Sequence, residues 1–148
     1  MVTNNMIKLL KILPVFLLGV SCTTIPIVSN KTSKIVVDIS EQKLKVICTK
    51  TGYKKFETKV ETSRVGVGTV LKSKRTPTGN YTVTKEPKHR FGPTLRLSGY
   101  QGNTRGILLH RDFVSGNGTS GCICPVTSKY MNTVFRMVDN GTPISIKM

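Results

Sequence analysis

Two short apolar runs, 35–39 and 44–48, flank the polar stretch Ser40-Glu41-Gln42-Lys43, a pattern that predicts a β-hairpin. Leu44, Val46 and Cys48 fall on one face of the second run, so Cys48 reads as a core residue. Over 55–61, Phe56, Thr58 and Val60 alternate with charged residues and predict a strand with one solvated face. Further strands are expected at 81–84, at Leu95-Arg96-Leu97 and at Ile107-Leu108-Leu109, with Ile144 and Ile146 in a closing one. Only Met131, Val134, Phe135 and Val138 recur at helical spacing, with Thr127 or Ser128 to cap the start and Asn140-Gly141 to end it. Residues 72–75 read as a solvated loop, 76–80 as a turn fixed by Pro77 and Gly79, and 87–93 as a long loop in which His89 is an exposed basic residue. Gly66-Val67-Gly68 is not followed by Lys-Ser/Thr or by a helix, so a backbone turn accounts for it better than a phosphate loop. The fold class that follows is mainly β, a sandwich or flattened barrel of short strands with one helix late in the chain.

Chemistry is concentrated in Thr119-Ser120-Gly121-Cys122-Ile123-Cys124 and in His110 a short loop upstream. A thiol performs acyl transfer as its thiolate, which an adjacent imidazole generates. His110 ends an apolar run, and a strand end holds a side chain rigidly at a cleft. Gly121 before the cysteine leaves backbone N–H groups near Ser120, Gly121 and Cys122 unobstructed for an oxyanion. A lone cysteine is more often a small buried hydrophobe and a lone histidine a structural residue, so the spacing alone does not establish catalysis. The Cys122-x-Cys124 pair also leaves open a strained disulfide or half of a metal site, although the second Cys/His pair that a structural zinc needs is absent from the sequence.

The order of these features resembles the catalytic domain of L,D-transpeptidases of the YkuD type, over about 34–147. The first hairpin, the turn Thr76-Pro77-Thr78-Gly79, the strand-ending His110, the nucleophile motif Gly121-Cys122-Ile123 and the closing Gly141-Thr142-Pro143-Ile144 all stand in the family's sequence. The resemblance implies a peptidoglycan acyltransferase in which Cys122 is the nucleophile and His110 the base, Ser120 and Gly121 supply backbone donors, and no cofactor or metal takes part. Three departures stand out. Ser120 replaces the family's histidine before the motif glycine, Cys124 replaces its arginine or asparagine two places after the nucleophile, and the loop from His110 to Cys122 is short. A carboxylate-binding cation is then expected from Arg96, Arg105 or Arg111, with Thr119 as a further substrate contact. The missing side chains keep two alternatives open: a cell-wall carboxypeptidase or endopeptidase, and an inactive wall-binding module.

At 148 residues the chain fits one domain, and no internal repeat is present. Lys8 and Lys11, the apolar stretch 12–20 and the small residues before Cys22 read as an export signal over 1–21 of lipoprotein type, with Cys22 as the lipidated residue; plain secretion or an uncleaved anchor is the alternative. Residues 22–33 then form a tether and 34–148 the catalytic domain. The formal net charge of +16 is diffuse and suits anionic polymers in general. Without a stacking motif, finger spacing or basic helix, nucleic acid is not the expected partner; stem peptides and the membrane that receives the anchor are. The expectation is an exported monomer, anchored and facing the periplasm or cell wall.

Overall fold

The two runs that open the domain form β1 (Ser33–Asp38) and β2 (Lys43–Cys48), paired antiparallel as the alternation requires. The structure, a computed structural model, describes residues 32–68, 73–99, 106–111 and 118–148. The expected signal segment, its Cys22 and most of the tether therefore lie outside the described residues. Ser33, assigned to the tether, belongs to the sheet instead: it is buried and pairs with Cys48. The hairpin turn is stitched by Asp38, which accepts from the Ser40 hydroxyl at 2.6 Å and the Glu41 N–H at 3.1 Å. These bonds, Ser40's foremost, with Lys147 nearby, lower the Asp38 carboxyl to about 2.

The chain continues through β3 (Lys54–Glu61), β4 (Gly79–His89), β5 (Gly92–Ser98), β6 (Leu108–Leu109), β7 (Cys124–Pro125), helix α1 (Ser128–Arg136) and β8 (Pro143–Lys147). The strands form one sheet in the order β6-β5-β4-β8-β1-β2-β3-β7, with β1 and β8 parallel and the remaining neighbours antiparallel. The two ends of that order meet. Leu109, in β6, bridges to Ile123, the residue before β7, and the sheet curls into a nearly closed barrel.

Inside lie Ile35, Leu44, Val83, Leu95, Leu97, Leu109, Ile123 and Ile144, with Met131 and Val134 from α1. Burying each large aliphatic side chain contributes roughly 1.5–3 kcal/mol. The helix is amphipathic as its spacing predicts and packs on β5 and β7, next to the barrel's meeting edges. Thr127 caps it, accepting from the Tyr130 N–H at 3.3 Å. At the other end Lys85 donates to the Val138 carbonyl at 2.9 Å and lies 4.4 Å from the centre of the Phe135 ring.

One expectation about organisation is overturned. Residues 87–93 are not a long loop: β4 runs to His89 and β5 resumes at Gly92, leaving a two-residue turn. Pro87 is absorbed by a register shift between Glu86 and His89, where the missing N–H breaks no ladder. The resulting hairpin tip carries His89, Arg90 and Phe91 to the seam of the barrel.

Candidate active site

The seam is made by backbone. The Ile123 N–H donates to the Leu108 carbonyl at 2.9 Å, and the His110 N–H donates to the Ile123 carbonyl at 3.1 Å. His110 is thereby fixed on one side of the join, with Cys122 and Cys124 flanking Ile123 on the other.

The imidazole is 4% exposed and held on three sides. Its Nδ1–H donates to the Arg111 carbonyl at 2.6 Å; a carbonyl only accepts, so in the neutral ring Nε2 carries the lone pair. Phe91 stacks on the ring face, with centroids 4.3 Å apart and planes 16° from parallel. The Cys124 Sγ stands 3.8 Å from Nε2. Sequence reasoning places this position on the substrate side of the cleft and does not reveal the thiol–imidazole contact. Cys124 is buried and Cys122 partly exposed, and neither they nor Cys48 form a disulfide. Cys48 is a core residue, as expected, and hydrogen bonds from Thr51 first, then Lys50 and Thr32, lower its thiol to about 7.

The turn leading to Cys122 is shaped by Thr119. Its hydroxyl donates to the Cys122 carbonyl at 2.6 Å and accepts from the Gly121 N–H at 3.2 Å. Its backbone is laced to the end of β3's run through Thr119 N–H to the Thr62 carbonyl, 2.8 Å, and Arg64 N–H to the Thr119 carbonyl, 3.2 Å. Thr119, expected at the substrate, is buried in this internal network, and Gly121's N–H, expected at an oxyanion, is turned toward it. Ser120 is exposed. Gly121 has φ +109, and a Cβ there would stand 3.0 Å from the Arg75 carbonyl and 3.3 Å from Ile107 Cδ1. The basic loop that includes Arg75 thus packs against the residue before Cys122, a proximity no local pattern announces.

The three arginines proposed from sequence fare differently. Arg96 makes a two-point ion pair with Glu86, Nε to Oε1 at 2.5 Å and Nη2 to Oε2 at 3.2 Å, which raises its already high pKa and lowers that of Glu86. Arg111 is exposed and lies about 4.0 Å from where a Gly92 Cβ would be, beside the hairpin tip. Arg105 lies outside the described residues. His89, read as exposed, is half-buried: its ring centroid is 5.1 Å from that of Phe91, its Nδ1 accepts the Phe91 N–H at 3.3 Å, and its Nε2 is 4.0 Å from Glu86. Arg90 covers Phe91 at 4.6 Å. Among the described residues, no three of His, Cys, Asp and Glu lie together in a way that could hold a metal ion.

Residues 32–146 match the family model of the YkuD L,D-transpeptidase catalytic domain. The chain belongs to that family. No curated protein matches the sequence of this L,D-transpeptidase-family chain. Among solved structures it is similar to an L,D-transpeptidase from Stackebrandtia nassauensis, with TM-score 0.61 and 19% identity over 80% of this chain and 56% of that one. It is also similar to L,D-transpeptidase 3 from Mycobacterium tuberculosis, solved with a faropenem-derived adduct, with TM-score 0.60 and 17% identity over 79% and 60%. The helical cell shape determining protein Pgp2 from Campylobacter jejuni is similar too, with TM-score 0.64 and 18% identity over 78% and 46%. This chain therefore spans about half to three fifths of the length of these proteins. The likeness to them is one of fold; the family match is to the L,D-transpeptidase catalytic domain.

Proposed function

We propose that this domain transfers acyl groups between peptidoglycan stem peptides through a thioester on Cys122. The observation that carries the reading is the seam: a fixed imidazole with its lone pair on Nε2 stands across the join from the segment entering β7, where a partly exposed thiol follows a tight, glycine-dependent turn. Cys122 as thiolate attacks the carbonyl of the penultimate residue of a tetrapeptide donor. The C–N bond breaks, and the terminal D-alanine leaves with a proton from the His110 imidazolium. An amine of a neighbouring stem then attacks the thioester, His110 takes its proton, and the thiolate departs. The oxyanion falls to backbone N–H groups of the 120–122 turn other than that of Gly121, which is donated to Thr119. Arg111, exposed beside the hairpin tip and next to His110 in the chain, is the arginine of the expected set that we assign to the donor carboxylate.

The test is incubation with purified tetrapeptide muropeptides. The expected products are free D-alanine and a cross-linked dimer; D-alanine with shortened monomer alone would make the domain a carboxypeptidase, and no turnover with retained wall binding would make it a binding module.

Phe91 supplies the face on which His110 is held, and aromatic pairs of this kind contribute about 0.5–1.5 kcal/mol beyond area burial. Phe91→Ala is expected to slow acylation of the domain by a carbapenem up to about tenfold on that basis, while Phe91→Tyr stays near the parent. Time-resolved intact mass measures both; equal rates in parent and Phe91→Ala would remove Phe91 from the site.

A further inference from the structure

We propose that Cys122 and Cys124 form an oxidisable dithiol that reacts with hydroperoxides, with Cys122 as the attacking thiol and Cys124 as the one that resolves it into a disulfide. The proposal deepens the function given above, since it acts on the nucleophile assigned there, but its chemistry does not require that acyl transfer occur.

Three observations lead to it. First, the buried thiol of Cys124 stands 3.8 Å from His110 Nε2, the ring atom that accepts a proton once Nδ1–H is committed to the Arg111 carbonyl. A buried thiol beside that imidazole, which also serves Cys122, can act as a thiolate toward a neighbouring sulfur. Second, exposure divides the roles: Cys122 is partly exposed, whereas Cys124 is 1% exposed, so a dissolved oxidant meets Cys122 first. Third, a single residue, Ile123, separates them as the chain enters β7. At about 3.2–3.4 Å of rise per residue their Cα atoms stand about 6.4–6.8 Å apart, the upper end of the range a disulfide spans. Such a bridge can close, but under strain, and a strained disulfide is readily reduced. It therefore suits a reversible modification.

The steps balance. The Cys122 thiolate, its proton held on His110, attacks the terminal oxygen of the hydroperoxide; the O–O bond breaks, the alkoxide takes that proton and leaves as alcohol, and Cys122 becomes a sulfenic acid with His110 neutral again. The Cys124 thiolate, its proton now on His110, attacks the Cys122 sulfur; the S–O bond breaks, and hydroxide takes the His110 proton and leaves as water. Two thiols and one hydroperoxide give one disulfide, one alcohol (water, for hydrogen peroxide) and one water. An external dithiol reverses the change. While the bridge stands, the nucleophile is capped and protected from irreversible oxidation to sulfinic acid.

The experiment treats the reduced protein with a small excess of hydrogen peroxide and maps tryptic peptides. Cleavage after Arg111 and Lys129 puts both cysteines in the peptide 112–129, away from Cys48 in 46–50. The expected result is loss of two hydrogen atoms from 112–129, restored by dithiothreitol, with full recovery of imipenem acylation. In Cys124→Ala, and in Cys124→Ser as a folding control, the same treatment is expected to add two oxygens to Cys122 and to abolish acylation irreversibly relative to each untreated variant. Wild-type protein in which Cys122 carries two or three oxygens and no disulfide appears would overturn the proposal. If the bridge forms reversibly but the reduced protein never takes up imipenem, the dithiol stands and the acyl-transfer reading falls.

Discussion

Cys122→Ala is expected to abolish both imipenem acylation and D-alanine release, and His110→Ala to slow acylation by about 10²–10⁴-fold, the usual contribution of a positioned acid–base group. Cys124→Ala is the informative companion, because the Cys124 sulfur is the one at 3.8 Å from Nε2. It removes a neighbour of the base and is expected to slow acylation by far less than Cys122→Ala. Intact-mass time courses on the three variants separate the cases. Full acylation of Cys122→Ala together with none of Cys124→Ala would transfer the role of nucleophile to Cys124.

The second large effect is expected at Gly121. Its φ of +109 is costly for any other residue, and an added Cβ would press on the Arg75 carbonyl at 3.0 Å. Gly121→Ala should lose about 1–3 kcal/mol of stability from the backbone conformation and shift Cys122 enough to cost about 10²-fold in acylation. Urea unfolding reads the first and imipenem mass shifts the second. A variant with parental stability and rate would mean that the turn relaxes freely and that the glycine has no part in shaping the site. Gly118, with φ +72 and a notional Cβ 2.9 Å from the Thr62 carbonyl, offers an independent replicate at the other end of the turn.

Much of this fold was legible because its signals are local. The alternation in 44–48, the helical recurrence of Met131 and Val134, and the glycine before Cys122 each depend on residues a few places apart, and each reappears in the structure. What escaped depends on register between distant segments. Arg96 looked available for substrate until β4 and β5 paired and brought Glu86 to it. Phe91 and His89 looked like loop residues because Pro87 argues against a strand, and only the bulge reconciles the two. The contact of Cys124 with His110 arises because opposite ends of the sheet are joined, which no window of sequence displays. Thr119 shows a further limit: a hydroxyl beside a nucleophile motif reads as a ligand, and its local bonds to the Cys122 carbonyl and the Gly121 N–H come into view only with the turn.

The joining of Leu109 to Ile123 also bears on how the chain avoids its own kind. A curled sheet left open offers two bare strand edges, each a template for another chain. Here the residues that cover those edges are the immediate neighbours of the imidazole and the two thiols, so the chemistry stands where the barrel is sealed. The same backbone bonds therefore close the sheet's edges and hold His110 beside the two cysteines, so a substitution that springs the seam is expected to bare strand edges and displace the imidazole together.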